Sequence, residues 1–322
     1  MPVNFLSLSQ RENYGRYPDN LSSDLINNNF FLNDEDRKWI ASKRGDFNRL
    51  GYALQLATVR FLGAFPTDIA ELPRAVVERI ASQINSTNSE SCVAVYRNSR
   101  QRWRHAVEIR ARYGYSELAE KGNRFRLVRR LCALCWTGTD RPSVLFSHAM
   151  DWLCTNKILL PGVTVLERLI AEIRSRMEIR LWRLLIKNLS GEQQENLNQL
   201  LITKDGENHS LLDKLRKGPT GVSGPALVRA LERLEIVRSI SVKLPLSRIP
   251  SSRIAALARF ANMAKSTAVS RLPTERKMAT LVAFIHHLEA SAHDDVLDVL
   301  SMVLRDLFSR ANQATIAHNK GP

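Results

Sequence analysis

Between Arg97 and Arg141 the chain sets twelve Lys or Arg side chains against only Glu108, Glu117, Glu120 and Asp140. Such an excess of fixed cation can neutralise successive phosphates of a nucleic acid, giving an affinity that falls as salt rises. Arg100, Arg102 and Arg104 open the stretch, and KGNRFRLVRRLCALCW closes it. Helical spacing there puts Val128, Leu131, Cys132 and Cys135 on one side with Phe125, while Arg126, Arg129 and Arg130 project from the other. A guanidinium row of this kind suits phosphate contact, and a solvated face is the plainer alternative. Trp103 and Tyr113 are expected to anchor a small core rather than to stack on bases.

A second pattern lies upstream. A helix ending LysArgGly, a short connection and a helix beginning AspPheAsnArg have the outline of a helix-turn-helix. With Asn48 at zero and 100 degrees per residue, Leu50, Ala53, Leu54, Ala57 and Phe61 cluster at roughly 140 to 240 degrees, the expected core face. Asn48, Tyr52 and Gln55 fall opposite, with side chains able to hydrogen-bond base edges. Arg49 and Arg60 lie beside that face, and Lys43 and Arg44 sit at the turn where a phosphate would approach. An ordinary helical hairpin with a solvated polar face has the same spacing.

Two other groups could do chemistry. Cys132 and Cys135 form a CxxC, but no second Cys pair stands at a zinc-ribbon spacing, so buried thiols are expected. His286, Glu289 and His293 share a helical side and offer a metal-dependent hydrolase as an alternative. One helix alone supplies an incomplete shell. No glycine-rich phosphate loop and no nucleophile elbow accompany these groups.

These residues need rigid elements behind them. At 322 residues and 44% hydrophobic content the chain is long enough for real cores. Apolar spacing at i, i+3, i+4 and i+7 recurs from residue 34 onward and β-type alternation is almost absent, so the expected fold is all-α and multi-module. Asn33 should cap a helix ended by Gly45, and Asp46 should cap the next. A helix from Pro73 to about Ile84 is followed by an expected loop, NSTNSES, and then by helices near 99–112, 122–136 and 142–156. Long helices are expected from 163 to about 188 and from Pro273 onward, with Ser190 and Gln193 as a capping box, Ser223 opening another helix, and a frayed ATIAHNKGP tail.

The net charge is +15, yet residues 1–96 carry 10 basic against 11 acidic side chains. The first third would therefore bind a polyanion weakly alone. The absence of a run of about 18 apolar residues gives no support for a membrane span, and four cysteines fit a reducing compartment.

Set in order, YGRY, RGDFNRLGYALQLATVRFLGAFP, RWRHAVEIRARYGY, FRLVRRLCALCW, RPSVLF, LLPGVTVLERLIAEIR, GPALVRALERLEIVRSI, IAALARFANMAKSTAVSRLP and LEASAHDDVLDVL resemble the amino-terminal part of the large replicative transposases of the Tn-three family. That resemblance implies recognition of terminal inverted repeats in double-stranded DNA by helical domains. It also implies that the acidic triad and its divalent metal belong to a part absent here, leaving binding without catalysis and no cofactor in this chain. Asp294 and Asp295 lie in the helical region before that triad. The expected modules are a helix-turn-helix-like unit over 1–95, an Arg-rich helical unit over 96–160, and a helical remainder over 161–322 for further DNA contact or self-association. A bacterial cytoplasmic protein associated with the nucleoid is the matching location. The rival from another class is a helical dimerisation scaffold built on the stripes at 163–188 and 274–310.

Overall fold

A computed structural model describes residues 5–138, 141–203, 206–244 and 246–319. The described residues form sixteen α-helices and no strand, with one isolated bridge between Ser116 and Ile158. The all-α fold is as expected. Two units divide the chain at Ser175, each with a core of its own.

The first unit holds α1 (Leu8–Glu12), α2 (Ser23–Asn29), α3 (Asp34–Ala41), α4 (Asp46–Leu62), α5 (Arg74–Gln83), α6 (Ser89–Arg97), α7 (Gln101–Tyr113), α8 (Asn123–Thr137) and α9 (Pro142–Thr155). α10 (Val163–Ile186) starts within it. Asn33 opens α3 as expected, its side chain accepting from the Asp36 amide while the Asp36 carboxylate accepts from the Asn33 amide. Gly45 does not end that helix. α3 stops at Ala41, and Gly45, at φ 86°, precedes α4 in a conformation that disfavours any Cβ. The expected loop NSTNSES instead leads into α6, which begins at Ser89.

α4 is the axis of the unit. Every residue from Leu50 to Val59 is buried, because α3, α5, α6 and α7 all pack around it. Its polar face is therefore interior, which corrects the assignment of Tyr52 and Gln55 to base reading. Tyr52 is 0% exposed and meets the His105 ring edge-on at 5.2 Å. Gln55 is 2% exposed and donates to Tyr96 Oη at 3.2 Å and to the Arg102 carbonyl at 3.1 Å. Tyr96 Oη in turn lies 2.7 Å from His105 Nδ1. This core joins residues on both sides of position 95, including Leu54, Tyr96 and Ile109.

Close approach of α6 to α4 depends on Gly51, where a Cβ would sit 2.3 Å from Tyr96 Cγ. At the other wall of the unit, Glu167 of α10 is fully buried and accepts from Arg11 Nη2 at 2.6 Å and from the amides of Phe5 and Leu6. That carboxylate ties the beginning of the described chain to α10.

The second unit continues from Arg176 through α11 (Gly191–Gln199), α12 (Leu211–Leu215), α13 (Gly224–Ile240), α14 (Ser251–Met263), α15 (Ser266–Ser270) and α16 (Thr274–Asn319). Capping by Ser190 with Gln193 and by Ser223 is as expected. α13 and α14 both pack on α16, burying Val237, Ile240, Ala261, Leu281, Val282, Ile285 and Leu288. Arg216 reaches the Ala264 carbonyl at 2.6 Å and also donates to Ala261, closing the C-terminal end of α14. The tail expected to fray from residue 314 is helical to Asn319, and 320–322 lie outside the described residues.

Gly51→Ala should destabilise the first unit by roughly 1 to 3 kcal/mol or more through overpacking against Tyr96, read as a lower midpoint in urea unfolding. Acid should do the same through His105, whose pKa burial lowers to about 4, with the Lys43 charge adding to the shift. The folded state resists protonating this imidazole while the unfolded chain accepts the proton from its ordinary value of 6.5 downward. Stability should be complete above pH 6.5 and fall progressively towards pH 4, and a His105→Gln chain should lose that part of the acid dependence.

Candidate nucleic-acid interface

Most of the cations expected around the α3–α4 turn are engaged inside the protein. Arg60 forms a two-pronged pair with buried Asp36, Nη1 to Oδ2 at 2.6 Å and Nη2 to Oδ1 at 2.7 Å, and lies over the Tyr113 ring. Burial alone would raise the Asp36 pKa, but hydrogen bonds from Arg60 and Tyr113 outweigh it and hold the carboxyl below its usual value. Lys43 pairs with Glu108 and sits over the rings of Trp39 and Tyr52. Arg49 donates from Nε to the Lys43 carbonyl at 3.0 Å and pairs with Asp46. Asn48 turns back on its own chain, donating to the Arg44 carbonyl at 2.8 Å. Only Arg44 of this group is exposed without an ion pair among the described residues.

The Arg-rich stretch is more open. Arg100 and Arg104 lie exposed at the start of α7, again without an ion pair among the described residues. Arg102 is half-buried, donates weakly to the Thr67 carbonyl and stands over the Trp103 ring. Trp103 itself is 71% exposed, not the core anchor expected. His105 and Ile109 are the α7 residues that point inward, one and two turns from Gln101. Tyr113 does pack, donating to Asp36 Oδ1 at 2.8 Å.

On α8 the buried stripe is Leu127, Leu131 and Cys135, spaced i, i+4, i+8. Phe125 is thereby turned out, at 70% exposure, instead of joining the core. Arg129 and Arg130 are exposed and make no ion pair among the described residues, while Arg126 reaches Asn156 Oδ1 at 3.4 Å and lies over Trp152. Arg124 faces Glu172 at a loose 3.9 Å. Exposed Trp103, Val107 and Phe125 were missed as surface groups; only the burial of Leu127 rather than Val128 distinguishes the two registers of the α8 face.

The hydrolase alternative loses its ligands. Glu289 accepts from Ser241 Oγ at 2.5 Å, and His293 is held by Arg238 on Nε2 and by the Glu289 carbonyl on Nδ1. Among the described residues no group of three or more His, Cys, Asp or Glu could hold a metal ion. Cys135 is buried and Cys132 half-buried on α8. No helix of the described residues is long and apolar enough to cross a membrane.

The family described as Domain of unknown function (DUF4158) matches residues 5–173. The chain is 39% identical over 314 residues to the Transposase for transposon gamma-delta of Escherichia coli (strain K12), covering 97% of this chain and 31% of that protein. It is 32% identical over 294 residues to the Transposase for transposon Tn501 of Pseudomonas aeruginosa, and 25% over 314 residues to that for Tn1546 of Enterococcus faecium. The shares of those two proteins are 29% and 31%, so the chain spans about a third of the length of the relatives it matches. It belongs to the DUF4158 family, and its resemblance to the amino-terminal region of the Tn-three family transposases extends over nearly its whole length.

Proposed function

We propose that this chain grips double-stranded DNA at the terminal inverted repeats of a transposon, as the amino-terminal, non-catalytic part of a replicative transposase. Strand cutting and joining, with any divalent metal they need, belong on this reading to the part of the relatives that the chain does not match. The supporting observation is the set of exposed guanidinium groups without a counter-ion among the described residues, Arg100, Arg104, Arg129 and Arg130, within a stretch of strong positive excess. Unpaired surface cations repel one another, and a polyanion relieves that repulsion while releasing its own condensed counter-ions. Phosphate contact by these groups fixes position on the duplex without reading it.

A second reading, self-association, is favoured by the far half of α16. Beyond Val299 that helix exposes Leu300, Met302, Leu304, Leu307 and Phe308, where its nearer half buries Met278, Leu281, Val282, Phe284, Ile285 and Leu288. Light scattering of the purified chain without DNA tests it.

Anisotropy titration of a labelled duplex at several salt concentrations tests the main reading. Binding should weaken steeply with salt. Replacing Arg100 and Arg104 together by Ala should flatten the log–log slope by roughly one unit for each phosphate no longer neutralised. Tyr52→Phe should leave binding unchanged, since its ring lies inside the first unit. Absent or salt-independent binding overturns the proposal.

A further inference from the structure

A helix that reads a major groove must offer one unobstructed face over two or three turns. It must also be braced from behind by a narrow apolar stripe, and that face must carry no carboxylate to repel the duplex. α4 fails at once, being buried on all sides from Leu50 to Val59. α7 meets the condition in part, but Glu108 and Arg110 on its flanks are tied into ion pairs.

α8 meets it over the arc led by Phe125 and Arg129. Leu127, Leu131 and Cys135 are its buried residues beyond the first turn, all on one side. With Phe125 at zero and 100 degrees per residue, this stripe falls at roughly 200 to 280 degrees, whereas Phe125, Arg129, Arg126 and Arg130 span roughly 0 to 140 degrees, directly opposite. No Asp or Glu occurs from Lys121 to Thr139. The two arginines nearest the middle of the exposed arc differ in their engagement: Arg126 leans on Trp152 and Asn156, and Arg129 has no ion pair among the described residues.

We infer that α8 is the helix that enters the major groove, with Arg129 donating both prongs of its guanidinium to O6 and N7 of a guanine and Phe125, one turn earlier, packing on the methyl group of a neighbouring thymine. The chemistry selects these atoms. A guanidinium fork matches the paired acceptors of guanine, and an exposed aromatic ring gains by covering the only apolar group in the groove. Arg130, at the far edge of the arc, and Arg126, steadied over Trp152, meet the phosphates along one groove wall. This assignment rests on the DNA-binding reading above and moves sequence choice from α4 to α8.

The test starts from a pool of duplexes with a randomised segment, selected by binding to the full chain and to its Arg129→Ala, Phe125→Ala and Arg130→Ala variants. All three positions are exposed, and circular dichroism checks that helix content is retained. Sequences selected by the unaltered chain should share a guanine beside a thymine. Placing 7-deazaguanine at that guanine should weaken binding roughly 10-fold, and the Arg129→Ala chain should be indifferent to the change. Uracil in place of the thymine should weaken the unaltered chain and not the Phe125→Ala chain. Arg130→Ala should weaken all duplexes alike and keep the same consensus.

If the Arg129→Ala and Phe125→Ala chains select the same sequence with the same sensitivities, the assignment of α8 is overturned and the DNA-binding reading stands. If the unaltered chain enriches no duplex, or retains only single strands, both fall.

Discussion

The first unit depends on a carboxylate that has left water. Asp36 is 1% exposed, and its two oxygens are covered by the fork of Arg60, the hydroxyl of Tyr113 and the amide of Asn33. A single side chain therefore caps α3, clamps the end of α4 and fixes the end of α7. Removing Arg60 would leave a buried charge without its counter-ion, a loss on the order of 3 to 5 kcal/mol for a pair of this kind, and removing the Tyr113 hydroxyl would cost roughly 1.5 to 3 kcal/mol. The fork also needs arginine, because a lysine ammonium cannot satisfy both oxygens in one plane.

Once α3, α4 and α7 are held this way, the fate of the polar face of α4 is settled by geometry. α6 and α7 cover it, and Gly51 lets Tyr96 descend to the backbone of α4. Polar atoms enclosed by that approach need partners, and Gln55 Nε2, Tyr96 Oη, His105 Nδ1 and the Arg102 carbonyl find one another, while Gln55 Oε1 and Tyr52 Oη have none among the described residues. Lys43, Trp39 and Glu108 do the same at the neighbouring edge. The residues that look like a reader of bases are in this fold the mortar between helices.

Those outcomes separate what spacing can tell from what it cannot. Helix starts were legible at Asn33, Ser190 and Ser223, because a cap is a local bond between a side chain and an amide three residues on. The all-α fold was legible for the same kind of reason, since period 3.6 needs no partner to be seen. The burial of Tyr52 and Gln55 was not, because a helix surrounded by others keeps a polar stripe when the surrounding helices answer it. α6 was missed beneath a run of Asn and Ser that reads as a loop. On α8 the choice between Leu127 and Val128 as the inward residue turns the whole face by one position, and with it Phe125 from core to surface.

The same pairing logic shapes the outer field. Within the Arg-rich stretch Glu117 and Glu120 both go to one cation, Arg110, at 2.8 Å each, and Glu108 goes to Lys43 and Trp39. Three carboxylates thus neutralise one arginine of the stretch and one lysine from outside it. Had they been spread along the helices, each would have quenched a separate guanidinium within the Debye length of about 8 to 10 Å. Placed as they are, they leave Arg100, Arg104, Arg129 and Arg130 uncompensated among the described residues. The positive potential is concentrated on α7 and α8, where these side chains are free to meet an anion instead of holding the fold together.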